Sequence, residues 1–433
     1  MKRGRVDCNR DVWGAIMGYA TPEECRRTYA QICVQLQVAL GPLARLKKHP
    51  VLFLRHVKVM AFFTHKERLE FSLVCLAFLR GAGRLKRRAN FESTPVLERL
   101  EAAMIRFPAL EDVNISLSTH IDAPILVKMC TFTCVTRLIL ISMNIAVLPD
   151  EIGALTNLKH LSVYGNKIAT LPDSIGRLTA LNILYLGENI LTAVPASIGY
   201  LTAVTKLFLN TNRIAALPDT IGRMTALTEL HLNDNSLAHL PDAIGNLTAL
   251  TSLYLQDNRL PGLPDSIGRL TNLEELDLDG NHLDAYTGLP SSIGSLTALT
   301  TLHLGSNVLL AVPRSIASLT GLTTLDLGVN CIRDLPSWIE GFTALTRLFL
   351  GSNDIAHLPM EIGALTGLEE LHIERNPLTL PESIVNLTEL QALDLDDMNP
   401  RPSDPIQNWL DDLESGSCNY PYDSSDDSSD DFV

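Results

Sequence analysis

Residues 230–250 read LHLNDNSLAHLPDAIGNLTAL, with two histidines, two aspartates and three asparagines in 21 positions. Imidazoles and carboxylates are the groups that ligate metals or exchange protons. Such chemistry requires that they share one surface. His231, His303 and His372 recur at equivalent places along the chain. Three strand-to-strand steps separate the first two, about 14 Å at the usual strand spacing, too far to share an ion. No P-loop, G-x-S-x-G, H-E-x-x-H, paired zinc-ligand or kinase motif occurs. The sequence therefore implies no enzyme activity, no cofactor and no metal site.

The polar residues are distributed by a repeat of 23 residues between about Val135 and Leu395. The strand leucine returns at 138, 161, 184, 207, 230, 253, 276, 302, 325, 348, 371 and 393, which predicts twelve turns. One spacing is 26, from an insertion within HLDAYTGLP (282–290) that is either loop drift or a means of presenting Tyr286 at the rim, and one is 22. In each L-x-L the leucines point inward and the residue between them faces out. An Asn recurs at 166, 189, 212, 235, 258, 281, 307, 330, 353 and 376, where its amide can satisfy backbone groups as the chain leaves the strand. Met143 and Met398 replace it in the terminal turns. The second half, L-P-x-x-I-G-x-L-T-x-L, places Ile and Leu inward, uses Pro to stop pairing and Gly to allow a tight return.

The pattern L-x-x-L-x-L-x-x-N-x-L resembles the leucine-rich repeat. The L-P-x-x-I-G-x-L form resembles its intracellular Ras-group and Ras-suppressor class. The resemblance implies an α/β repeat fold: a right-handed leucine-rich-repeat solenoid with a parallel concave sheet, preceded here by an N-terminal α-helical domain. It also implies a non-enzymatic protein-interaction scaffold in signal transduction.

Outside the array, residues 1–110 carry 20 basic and 9 acidic residues, whereas 111–433 carry 15 and 40. This split predicts two regions with different surfaces. Boundaries are expected at 1–106 for a basic helical domain and 107–134 for a degenerate repeat that caps the array, with Leu110, Val113 and Ile115 as its core positions. The array itself spans 135–398, a helical cap 399–415, and an acidic Ser/Asp-rich disordered tail 416–433. Ser424 and Ser428 each have an acid three residues on, as acid-directed kinases require. In 8–50 the order D-V-W-x-x-I-x-x-Y, acidic turn, A-x-I-C-x-x-L resembles an F-box. It lacks the usual Leu-Pro before Val12 and a Trp after Cys33. That resemblance implies docking of a Skp1-type adaptor through Val12, Trp13, Ile16, Ile32 and Leu36, and the role of substrate receptor in a ubiquitin ligase. An unrelated helical cap is the alternative.

The basic run GRLKRR (83–88) lacks interleaved aromatics, and the acidic array repels phosphate, so no nucleic-acid partner is expected. No membrane span is expected either, since no long apolar run occurs. The start MKRGRVDCNRDVWG has no apolar stretch of the secretory kind. Eight cysteines without C-x-x-C pairs predict reduced thiols and a cytoplasmic or nuclear location.

The residue between the strand leucines offers the candidate partner-binding surface. Tyr185, Phe208, His231 and Tyr254 form a ring ladder on the concave face, continued by His303 and Phe349. Asp234, Asp257, Glu275, Asp277, Asp279 and Asp326 form an acidic field beside it. Aromatic anchors next to acids imply a protein partner with a basic surface; the alternative is that the rings stack on one another and the acids keep the array soluble.

Overall fold

The computed structural model describes residues 88–91, 112–116, 123–284, 288–395 and 403–415. The chain divides into two compact units, Met1–Arg87 and Arg88–Val433, and all described residues belong to the second. The F-box-like positions Val12, Trp13, Ile16, Ile32 and Leu36, Tyr286, Met398 and the serines of the tail lie outside the described residues.

The second unit is one parallel sheet of fourteen strands whose spatial order is their chain order. The twelve strands expected from the leucine period are β3 (Arg137–Ile141) to β14 (Ala392–Asp394). Two more precede them. β1 (Arg88–Phe91) pairs with β2 (Asp112–Ser116), which pairs with β3. The degenerate turn at Val113 and Ile115 is thus a strand of the sheet. The sheet also begins inside the stretch that the sequence reading gave to a helical domain. RANF carries no L-x-L, so the leucine period could not register it. A short helix, α1 (Ala123–Met129), leads into β3.

Each turn leaves its strand, crosses the core and returns through a 3-10 helix of five residues. Proline precedes that helix, its φ near −70° already suited to helix entry. The carbonyl of Pro241 accepts from Ile244 N at 2.9 Å, and the same contact closes the other returns. The Ile-Gly glycines do not serve the role expected of them. None of them has a positive φ; they permit close stacking instead. A Cβ on Gly222 would lie 2.4 Å from the carbonyl oxygen of Ala243 in the next turn, and one on Gly199 2.2 Å from that of Thr220.

The leucines and isoleucines of all turns form one core; Leu230, Leu232, Leu237, Ile244 and Leu247 are all fully buried. Its polar spine is the asparagine column. Asn258 donates to the carbonyls of Leu232, Leu255 and Gln256, and its Oδ1 accepts from Leu237 N at 2.9 Å. Each asparagine thereby ties its turn to the preceding one and satisfies groups that the turning backbone would otherwise leave bare. The residue before each asparagine is left-handed, with φ between 49° and 67° from Gly165 to Arg375. Asp234, Asp257, Gly165 and Gly280 suit that conformation, whereas Thr211 and Val329 are β-branched and strained in it. At the far end, α2 (Asp404–Ser415) covers the last repeat with Ile406 buried and Trp409 and Leu413 half-buried. Among the described residues, no helix is long and apolar enough to cross a membrane.

Candidate functional site

Parallel register aligns the residues between the strand leucines into one column. Tyr185, Phe208, His231, Tyr254, Asp277, His303, Asp326, Phe349, His372 and Asp394 are consecutive cross-strand neighbours. The column follows from the leucine period alone, because a repeat that keeps its register keeps each position on one face.

The first four members stack ring on ring. Centroids lie 4.4 Å apart for Tyr185–Phe208, 4.3 Å for Phe208–His231 and 4.4 Å for His231–Tyr254, with planes within 23° of parallel. Stacking covers the middle of the ladder. Phe208 is only 5% exposed and is no free anchor, contrary to the sequence expectation. Tyr185, His231 and Tyr254 remain half-buried and present edges and polar atoms. A second, shorter stack joins Phe349 and His372 at 4.6 Å.

Charged groups along the neighbouring columns pin this ladder. His231 Nε2 lies 2.8 Å from Glu229 Oε1, and Lys206 Nζ lies 2.5 Å from Glu229 Oε2. Burial lowers the His231 pKa and outweighs the pull of Glu229, so the ring is neutral at physiological pH. Glu229 itself stays below its ordinary range, because bonds from Lys206 and His231 outweigh its burial. The Tyr254 hydroxyl donates to Glu275 Oε2 at 2.6 Å, and burial together with that carboxylate raises its pKa. Glu275 is thus committed to Tyr254, whereas Asp234 and Asp257 stand exposed at left-handed positions.

Beyond Tyr254 the column turns acidic. Asp277 Oδ1 accepts from Asp279 N at 3.0 Å, and Asp326 Oδ1 accepts from Gly328 N at 2.8 Å. The carboxylate of Asp279 leans across to the next turn and accepts from Gly305 N. His303 Nδ1 faces Asp326 Oδ2 at 3.8 Å, beyond hydrogen-bond range. Burial, followed by the charges of Asp326 and Asp277, pushes the Asp279 carboxyl up to about 7. Burial likewise raises Asp277. For His303 burial acts downward, but Asp326, Asp277 and Asp279 together hold the imidazole above its usual pKa.

The three histidines remain in separate turns, as the sequence implied. What the sequence reading missed is that Asp279, His303 and Asp326, from β9 (Glu275–Asp277) and its exit, β10 (Thr301–His303) and β11 (Thr324–Asp326), converge. Their candidate ligand atoms lie within 4.8 Å of one another. A second trio, His372, Glu374 and Asp394, meets the same distance criterion, with His372 Nδ1 only 2.7 Å from Asp394 Oδ2. The signal available was the register of adjoining turns, which sets His303 beside Asp326 and His372 beside Asp394.

Family models agree with this architecture. A leucine-rich repeat region model matches residues 206–285, and leucine-rich repeat models match 297–355 and 157–178. No curated protein sequence matches the chain. Among solved structures, a leucine-rich-repeat protein of Leptospira interrogans is 28% identical with a TM-score of 0.66, covering 75% of this chain and 86% of that one. An internalin of Listeria monocytogenes is 22% identical with a TM-score of 0.58, covering 67% and 82%. A chain from the octameric complex of Latrophilin 3, Unc5D and FLRT2 is 22% identical with a TM-score of 0.50, covering 63% and 87%. The last two likenesses concern the fold alone.

Proposed function

We propose that this leucine-rich-repeat array is a non-enzymatic scaffold that holds a protein partner against its strand face. The observation that carries the reading is the single cross-strand column from Tyr185 to Asp326, which passes from stacked rings into carboxylates without interruption. The rings offer rigid, half-buried apolar edges that lose little entropy on contact. Asp234, Asp257, Asp277 and Asp279 favour a partner with Lys or Arg opposite them. The solved Latrophilin 3, Unc5D and FLRT2 assembly supports the reading at the level of fold, since its leucine-rich-repeat component belongs to a multi-protein complex. The resemblance of L-P-x-x-I-G-x-L to the Ras-group class supports a place in intracellular signalling, in the cytoplasm or nucleus. The full chain, used as bait in its native cell, tests this: a captured protein should shield Tyr185 and Tyr254 from hydroxyl-radical oxidation. Shielding confined to the opposite, 3-10 side would overturn it.

A second reading rests on residues 8–50. If Val12, Trp13, Ile16, Ile32 and Leu36 dock a Skp1-type adaptor, the strand face becomes a substrate receptor for a ubiquitin ligase. Pull-down with the full chain and with Trp13→Ala/Ile16→Ala separates the two readings: adaptor retained by the first and lost by the second supports the ligase role. No adaptor on either chain rejects it.

A further inference from the structure

We propose that Asp279, His303 and Asp326 form a binding site for a divalent transition-metal ion on the strand face, with zinc preferred over calcium. This replaces the sequence expectation that the array holds no metal.

Residues in three successive turns bring two carboxylates and one imidazole together, with candidate ligand atoms within 4.8 Å of one another. The His303 Nδ1–Asp326 Oδ2 gap of 3.8 Å is too long for a hydrogen bond. It is close to the roughly 3.3 Å that separates two ligands on a tetrahedral zinc. A small closure would place an ion between them.

Orientation is supplied by the backbone. Gly305 N holds one oxygen of Asp279 and Gly328 N holds Oδ1 of Asp326, fixing both carboxylates. Ligating carboxylates fixed in this way are the usual support of a metal site. The glycines have a second effect. A Cβ at Gly305 would meet Asp279 Oδ1 at 2.9 Å and Oδ2 at 3.3 Å, and one at Gly328 would meet Asp326 Oδ1 at 3.2 Å. Asn210, Asn233 and Gln256 fill the corresponding place in three earlier turns, while Gly187 and Gly351 hold it elsewhere; at Gly305 and Gly328 the missing side chain leaves room for Asp279 and Asp326.

Charge completes the case. Asp277 adds a third carboxylate beside His303 in the register. Among the described residues, neither Asp279 nor Asp326 forms an ion pair with a lysine or arginine. The three carboxylates have only the His303 imidazole as a partner of opposite sign, and a bound dication would offset more of their mutual repulsion. The imidazole decides the metal class. Calcium takes oxygen ligands, whereas zinc accepts nitrogen together with carboxylate and completes its shell with water. The trio at His372 is the weaker candidate, since its imidazole already bonds directly to Asp394.

This inference stands apart from the protein-binding reading, because it needs no partner. Zinc chloride is titrated calorimetrically into the full chain under reducing conditions, and calcium chloride into a parallel sample. The same titrations are run on Asp279→Asn, His303→Gln and Asp326→Asn. The wild-type chain should bind one zinc ion that each variant loses or binds about tenfold or more weakly. Zinc should also raise the wild-type melting temperature but not that of His303→Gln, and calcium should not compete. Thermal melts without metal establish that each variant is folded; if one variant fails to fold, the other two decide. Equal zinc stoichiometry and affinity in the wild type and all folded variants, or no zinc binding to the wild-type chain, would overturn the assignment.

Discussion

His231 stacks on Phe208 with ring centroids 4.3 Å apart and planes 22° from parallel, and Tyr254 covers its other face at 4.4 Å. Burial in this sandwich keeps the imidazole neutral below its ordinary pKa of 6.5. The folded chain therefore takes up its proton later than the unfolded chain. Stability from this group is full above about pH 6.5 and falls as pH drops through the ordinary value toward the lowered one. His231→Phe keeps the stack and removes the titration. Urea midpoints at about pH 7.5 and about pH 5.5 should fall less in the variant than in the wild type. Identical falls would show that His231 does not contribute.

Asn258 spans two turns with four hydrogen bonds in a buried setting. Asn258→Ala leaves an amide and carbonyls without partners, and should cost about 1–3 kcal/mol in urea unfolding. Asn→Asp at the same place should do worse, because a buried acceptor would replace the donor to three carbonyls. A silent Asn258→Ala would mean that the ladder is decorative.

Two glycines should respond in opposite directions. Gly222→Ala drives a methyl to 2.4 Å from a backbone carbonyl, and overpacking of this kind costs about 1–3 kcal/mol. A Cβ at Gly367 would meet nothing within 4 Å, and the matching place in the turns at 180, 226 and 249 is already alanine. Gly367→Ala should stabilise the chain by about 0.4–1 kcal/mol through the unfolded state. Melting temperatures of the pair test both signs at once.

Val329 holds φ at 51° with its side chain 56% exposed. The isopropyl group gains little from burial there and strains the backbone. Val329→Asn relieves the strain without the entropy that glycine loses, and should add roughly 1 kcal/mol. A loss of stability would show that Val329 makes an apolar contact worth more than the strain.

The repeat was legible because its causes are local and recur: Leu230 and Leu232 alternate inward, Asn235 satisfies the backbone as the chain leaves the strand, and Pro241 starts the return. The column from Tyr185 to Asp394 followed from register. What the sequence did not disclose depends on side-chain rotamers across turns. Phe208 carries the same pattern as Tyr185 and Tyr254, yet stacking from both sides buries it. Asp279 points out of the sheet like Gln256, but the absent side chain at Gly305 lets it lean toward His303. β1 has no leucine pair to announce it, and its place depends on pairing with β2. The Ile-Gly glycines were visible at once, but their reason lay in the next turn.

The strand face is the proposed binding surface. Asp234 and Asp257 are exposed and left-handed, a conformation that asparagine adopts equally well, so Asp234→Asn and Asp257→Asn remove charge without strain. Combined with Tyr254→Ala at the end of the ring ladder, they alter the face and leave the leucine core intact. The decisive measurement is the affinity of this triple variant for the partner captured by the wild-type chain, at matched salt and with thermal melts to establish folding. The expected loss is about tenfold or more, carried mainly by Tyr254→Ala, with the aspartate changes slowing association. A folded variant that binds its partner with unchanged affinity would contradict it.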